Sequence, residues 1–545
     1  MKNLLALKIF RTIGVWSVSV IVTVGFAWSQ SENRTIPQIA EKNSRHALLV
    51  DGQPFLMLGG QAHNSSGWPG MLPQVWLAIE TMHANTLEVP IYWEQIEAQP
   101  GKFDFSLVDT LLVQARERNV HLVLLWFATW KNGSNHYMPE WMKCDAVKYP
   151  NIIGRNRQPV DSPSPHTLAA MEADAKAFAE VMGYLKKTDP QHTVLMVQVE
   201  NEPGAWGSVR DYSANAQKLF EGQVPTELLK AEILKALNKP VVAKGTWQEV
   251  FGKDADEYFH AWSIAKYIGY VAAAGKAVNP LPLYVNAALR DPISNPSAST
   301  YESGGATDNV IPIWKVAAPA IDLLAPDIYI SDSERALKVI ALYDRSDNPL
   351  FVPEIGSNEE YTRYFYSVLA HGGIGFSPFG IDDNGQAQSK AETEARLAPL
   401  AQEYAMAGPM MRELAQWSFE GKINSVVERE DHAEQTIDLG SWQASVKFGA
   451  PGWRVEKNNA RPIGKAMIVR LSENEFLLVG TLCHFTFKPV GVNAGKACQY
   501  LKVEEGQYEN GSFKLLRIRN GDETDWGGPR IGATPVVLHT TLITR

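Results

Sequence analysis

In Val197-Gln198-Val199-Glu200-Asn201-Glu202-Pro203-Gly204, two carboxylates flank an amide just after the apolar run Thr193-Val194-Leu195-Met196-Val197. A second apolar run, Pro349-Leu350-Phe351-Val352-Pro353, leads into Glu354-Ile355-Gly356. Such short β-rich runs suit parallel strands covered on both faces, so the polar residues that follow emerge at the strands' C-terminal ends. Two carboxyl groups meeting there suit glycosidic bond cleavage. One protonates the leaving oxygen while the other attacks the anomeric carbon or activates water. Glu202 is the candidate for the first role and Glu354 for the second.

The elements needed to bring these residues together can be counted along the chain. Residues 54–60 read as strand one, 73–83 as its helix, and 85–90 as strand two. Val108, Leu111, Leu112 and Ala115 recur at helical spacing before strand three at 120–127. A Met171, Ala175, Phe178, Val181, Met182 and Leu185 stripe then precedes the strand leading to Glu202, which is the fourth. Residues 284–287 and 321–329 supply strands five and six, so Glu354 ends strand seven; 372–380 is strand eight, and helices over 392–416 close the ring. The fold class is α/β: a (β/α)8 TIM barrel, whose catalytic face lies at the C-terminal strand ends. The stretch after Gly204 is longer than an ordinary strand-to-helix loop. It is expected to wall one side of the site, with a Thr-capped helix over 226–237 and the regular barrel helix over 260–275.

From about residue 420 the pattern changes to short strands. Trp442, Ala444, Val446 and Phe448 fall on one face, 465–471, 475–479 and 513–519 continue the pattern, and Asn510-Gly511 suits a hairpin turn. An antiparallel β-sandwich follows. The division expected is a signal peptide over 1–29, the barrel over 30–419 and the sandwich over 420–545.

With both carboxylates placed on strands four and seven, the chain resembles the clan A retaining glycosidases. The Gln198-Val199-Glu200-Asn201-Glu202 string resembles glycoside hydrolase family 35, the β-galactosidases, and in particular bacterial members with a β-rich C-terminal domain. The resemblance spans roughly residues 45 to 415. It implies Glu202 as acid/base, Glu354 as nucleophile and Asn201 as a ligand of the sugar 2-hydroxyl. The string departs from that family at Pro203-Gly204, a continuation more common in family 5 glycanases. The expected activity is exo-cleavage of terminal β-galactosyl units from plant oligo- or polysaccharides, with xyloglucan side chains among the targets suggested by polysaccharide-degrading relatives. A family 5-like endo-glycanase and a catalytically silent carbohydrate-binding protein are the rival readings.

Other residues at strand ends are candidates for sugar contact. Tyr329 ends strand six, where clan A enzymes often set an aromatic hydroxyl against the nucleophile. Tyr92 and Glu94 follow strand two, and Trp126 and Trp130 follow strand three, with one of these indoles expected as a sugar platform and the other as packing. Gln61, His63 and Asn64 after strand one are further candidates.

Composition narrows the function classes. Lys and Arg total 51 against 60 for Asp and Glu, a net charge of -9 without a basic block, so a nucleic-acid partner is not expected. The 12 His form no metal-binding pattern, Asp382-Asp383-Asn384-Gly385 lacks the distal Glu of a calcium loop, and no metal or cofactor is expected. Of the 3 cysteines, Cys483 and Cys498 lie in one β-rich region, and an exported chain allows a bond between them. Lys2, Lys8 and Arg11 precede an apolar segment over 12–26 and Ala27-Trp28-Ser29, the pattern of a cleaved secretory signal. About 15 apolar residues fall short of the roughly 20 that span a bilayer. The expectation is therefore a periplasmic or extracellular protein without a stable membrane anchor.

Overall fold

The computed structural model describes residues 35–382, 389–449 and 460–545. The proposed signal segment and Asp383-Asn384-Gly385 lie outside them. Eight parallel strands close into a barrel: β1 (Met57–Gln61), β2 (Thr86–Tyr92), β3 (His121–Lys131), β4 (Val194–Asn201), β5 (Leu283–Ala288), β6 (Leu323–Ile328), β7 (Val352–Ile355) and β8 (Gly375–Pro378), with β8 pairing back to β1. Between them run α1 (Leu72–Met82), α2 (Ser106–Glu117), α3 (Leu168–Thr188), α4 (Ala255–Val278), α5 (Ile311–Ala317), α6 (Ser333–Tyr343) and α7 (Phe365–Ala370), with α8 (Lys390–Ala407) and α9 (Met411–Phe419) after β8. Every residue of β4 is buried. That is why the strand reads as an unbroken apolar run: one face fills the barrel and the other meets the helices. None of the helices among the described residues is long and apolar enough to cross a membrane.

A three-stranded antiparallel meander (Gln38–Lys42, Arg45–Val50, Gln53–Phe55) precedes β1. The run expected as strand one is thus divided, its first residues pairing in the meander and its last in the barrel. Arg412 of α9 holds the division, donating to the carbonyls of Val50, Gln53 and Pro54. The helix expected over 226–237 shortens to Ala231–Ala236 with Lys230 at its cap. Thr226 instead opens a turn, its carbonyl accepting from Leu229 N at 3.1 Å.

The C-terminal strands are β9 (Ile423–Val427), β10 (Gln435–Asp438), β11 (Trp442–Phe448), β12 (Lys465–Arg470), β13 (Glu475–Thr481), β14 (Cys483–Pro489), β15 (Cys498–Glu509), β16 (Ser512–Ile518), β17 (Arg530–Ile531) and β18 (Val536–Thr544). They form a six-stranded sheet, β9-β12-β13-β18-β15-β16, facing a four-stranded one, β10-β11-β14-β17. Trp442, Ala444, Val446 and Phe448 of β11 point into the cleft between the sheets, as their alternation anticipates. Within the six-stranded sheet, β12 and β13 are covered on both sides. Ala466, Ile468, Phe476 and Leu478 face the sandwich interior, whereas Met467, Val469, Leu477 and Val479 join the barrel's core. Cys483 and Cys498 are both free thiols, so the bond considered from sequence is not formed.

Candidate active site

At the end of β4 the backbone takes positive φ at Glu200 (65°) and at Glu202 (43°). Such values are uncommon for residues other than glycine and mark a constrained strand end. They break the alternation that would set the two glutamates on one face. Glu200 turns outward to Asp174 of α3, and its Oε2 accepts from Trp130 N at 2.7 Å. Burial, then the Asp174 charge, holds the Glu200 carboxyl well above its ordinary range, so this is a proton-sharing structural pair. Glu202 turns into the barrel mouth. There an oxygen of Glu202, one of Asp327 and one of Glu354 lie within 4.8 Å of one another, all three residues buried.

Glu354, on β7, is ringed by donors. Gln61 Nε2 and Tyr329 Oη each donate to it at 2.8 Å, and Asn286 Nδ2 lies at 3.4 Å. Glu202 stands in a different setting. Burial, followed by the negative charge of Glu354, pushes its carboxyl up to about 7, against smaller opposing effects from Lys131, Asp327 and Asn132. Asn132 Nδ2 donates to its Oε2 at 2.5 Å. The site thus sets a carboxyl whose pKa is raised beside one ringed by hydrogen-bond donors, an arrangement that suits the acid and the nucleophile of double displacement. Asp327 ends β6. Burial and then the charges of Glu354 and Glu202 raise its carboxyl well above the ordinary range. Asp327 stands beside both and takes part in the same hydrogen-bonded cluster.

Asn286 of β5 ties the cluster together. Its Oδ1 accepts from Glu202 N at 2.9 Å, and its Nδ2 donates to Asp327 at 2.8 Å and to Asn201 Oδ1 at 3.3 Å. Asn201 also accepts from Gln198 Nε2 at 3.0 Å, and Lys131 Nζ stands 3.0 Å from its amide. The three carboxyl groups are close enough for a cation, but amide and hydroxyl donors already point at them and the Lys131 charge lies nearby. The raised pKa values of Glu202 and Asp327 favour proton uptake, which eases the repulsion among the three carboxyls.

Glu202, Glu354, Asn201 and Tyr329 thus meet in one place. The other proposed sugar contacts do not join them. Trp130 is wholly buried, its ring edge-on to Tyr267 of α4 at 4.8 Å. Trp126 is also buried, its Nε1 donating to Asp174 at 2.9 Å, so neither indole is a platform. β3 runs on to Lys131, which carries both rings into the layer between strand and helix. Tyr92 is buried as well. Its hydroxyl donates to Asn64 O at 2.8 Å and accepts from Gly67 N at 3.0 Å, while its ring stacks between Trp68 and Tyr137. It braces the loop after β1, and its buried hydroxyl is committed to that loop. Glu94 lies at the surface, paired with Lys143 at 2.9 Å. Of the residues after β1, Gln61 reaches Glu354, whereas His63 bonds to Asp382.

Lys131, Asn132, Asn286 and Asp327 escaped sequence reasoning as site residues. The usable signal was a lone polar residue near the C-terminal end of an otherwise apolar strand, as in Leu283–Ala288 and Leu323–Ile328. Buried polar groups need partners, and in a barrel the partners come from other strands.

Residues 75–267 match the glycoside hydrolase 42 family model, described as beta-galactosidase, and residues 400–528 match a domain of unknown function, DUF5597. Among curated proteins the chain is 26% identical over 207 residues to a beta-galactosidase of Xanthomonas manihotis, covering 36% of this chain and 32% of that protein. It is 31% identical over 104 residues to Beta-galactosidase 11 of Arabidopsis thaliana, covering 18% of this chain and 12% of that protein. The chain therefore spans about a third or less of the length of these relatives. The beta-galactosidase of Bacillus circulans sp. alkalophilus superposes with a TM-score of 0.47 at 14% identity, over 66% of this chain and 57% of that one. The family model that matches is family 42, so the family 35 resemblance holds at the coarser level: the barrel is similar to glycoside hydrolases of the clan A β-galactosidase kind.

Proposed function

We propose that this protein is a retaining exo-β-galactosidase. The reading rests on one observation above all: Glu202, whose carboxyl is pushed up to about 7, and Glu354, ringed by hydrogen-bond donors, hold oxygens within 4.8 Å of each other at the ends of strands four and seven. Inverting enzymes separate their carboxyls by roughly 6.5 Å or more to admit a water, and retaining enzymes by about 5 to 5.5 Å. Glu354 attacks the anomeric carbon as Glu202 gives its proton to the leaving oxygen, forming a glycosyl ester on Glu354. Glu202, now ionised, takes a proton from water as that water displaces Glu354. Asn201 and Asn286 supply amides around the sugar's reacting edge.

Exo action is favoured by the wall beside Glu202. The ribbon Asn151–Ile153 and Pro159–Pro163 is pinned to the strand-four insertion through Tyr212 N to Ile153 O at 2.7 Å and Ser162 Oγ to Gly204 O at 3.0 Å. Terminal β-galactosyl units of plant oligo- or polysaccharides, xyloglucan side chains included, are the substrates this reading names, and export follows from the signal-like first 29 residues. Asn201-Glu202-Pro203 favours the rival, an endo-glycanase similar to family 5. A screen of aryl β-galactoside, β-glucoside and β-mannoside, with early product followed by NMR, decides between them. Preference for the galactoside and a first-formed β-anomer are expected. A first-formed α-anomer refutes retention, and preference for glucoside or mannoside refutes the substrate.

A further inference from the structure

Glu302, in the loop between β5 and α5, has no part in the chemistry above, yet it is an expensive residue to keep where it is. Its side chain is buried, and its Oε2 has no hydrogen-bond partner. Burial and then the nearby Glu202 charge push its carboxyl up to about 8. Its other oxygen, Oε1, accepts from the indole N–H of Trp206. The two segments are joined as an antiparallel bridge, Ala205 N to Ser303 O at 3.0 Å and Ser303 N to Ala205 O at 3.1 Å. Gly204 makes the approach possible, because a Cβ there would stand 3.0 Å from Glu302 Cβ and 3.2 Å from Ser303 O. Trp206 itself is 50% exposed, whereas Trp93, Trp126, Trp130, Trp247 and Trp314 are buried.

We propose that Trp206, clamped by Glu302, is the platform for the leaving-group sugar, so that the preferred substrates are galactosides whose aglycone is itself a pyranose. The proposal rests on the glycosidase reading above. An acid/base gives its proton to the glycosidic oxygen, so the aglycone begins on the Glu202 side, where Trp206 follows four residues on in a bridged segment. The indole's polar edge is already satisfied, which leaves its apolar face for the C–H face of a sugar ring. A ring held by its N–H loses little freedom when a ligand packs on it. Keeping Glu302 out of water has a physical return only if that ring must be held still.

The test compares kcat/KM on β-galactosyl fluoride, whose leaving group carries no sugar, with kcat/KM on a β-galactosyl disaccharide. Trp206→Ala and Glu302→Leu are expected to lose about tenfold or more on the disaccharide and less than about threefold on the fluoride. Glu302→Gln keeps an acceptor oxygen for the indole and is expected to stay near wild type on both. Equal losses on the two substrates would make the pair merely structural, and no loss on the disaccharide would leave the aglycone elsewhere; either overturns the proposal. A wild-type protein inert toward galactosyl fluoride overturns the galactoside reading itself, a result distinct from both.

Discussion

A carboxyl that must give a proton and later take one back needs a pKa that changes during turnover. Glu202 has the means. Burial and the Glu354 charge hold it up at about 7, and the second of these disappears once Glu354 is esterified. The free enzyme should then show an alkaline limb near pH 7 in kcat/KM on galactosides with poor leaving groups, because Glu202 is protonated below that pH and ionised above it. Glu354→Gln removes the charge, so Glu202 should titrate lower than in the wild type. Carbon-13 NMR of labelled glutamate checks this, and an unchanged value would mean that burial alone sets it. The two carboxyls should also fail differently. Glu202→Ala should lose about 10²- to 10⁴-fold on substrates with poor leaving groups, less on acidic phenols, with turnover on the latter restored by azide. Glu354→Ala should lose on the order of 10⁴-fold or more on every leaving group. Matching leaving-group dependence in the two variants refutes the roles.

At the scale of elements, the site depends on strand ends that face one another across the barrel. Asn286 of β5 is the clearest case, since a single amide side chain meets Glu202 N on the β4 end, Asp327 on β6 and Glu354 on β7. Asn286→Ala leaves those groups without their partner in a buried place, a loss of about 1 to 3 kcal/mol of stability. The rate should suffer more than the fold, because the end of β4 must hold positive φ at Glu202 to aim its carboxyl into the barrel mouth, where the proposed reaction needs it. We expect kcat to fall by about 10²-fold or more while the melting temperature drops only a few degrees. Calorimetry beside steady-state kinetics checks it; loss of stability with kcat intact would reduce Asn286 to a packing residue.

For the whole molecule, the six-stranded sheet is the decisive part, because it belongs to two cores at once. Barrel and sandwich are also joined by a buried ion pair, Lys465 Nζ to Glu403 at 2.9 Å, with Tyr366 Oη and Thr481 Oγ1 donating to the same carboxylate. Breaking a buried pair leaves an uncompensated charge, which costs about 3 to 5 kcal/mol. Glu403→Ala should therefore lower the melting temperature of the whole protein as a single transition. Two resolved transitions, with that of the barrel unmoved, would show that the sandwich is an independent unit.

What the sequence determined by itself is what short-range pattern can carry. Unbroken apolar runs ending in polar residues placed all eight barrel strands to within a few residues, and their order put Glu202 and Glu354 at the ends of strands four and seven. Alternation in Trp442–Phe448 found a sandwich strand because that strand is buried on one face only. Tertiary structure decided which way each strand-end side chain turned. Positive φ sent Glu200 out to Asp174 and Glu202 inward, and two extra turns of pleat in β3 carried Trp126 and Trp130 away from the site while delivering Lys131 and Asn132 to it. Asn286 and Asp327 read as isolated polar residues in buried strands until closure of the barrel supplied their partners from other strands. A proton's place among three buried carboxyls is set by burial and mutual charge at distances of a few ångströms, and these exist only in the folded chain.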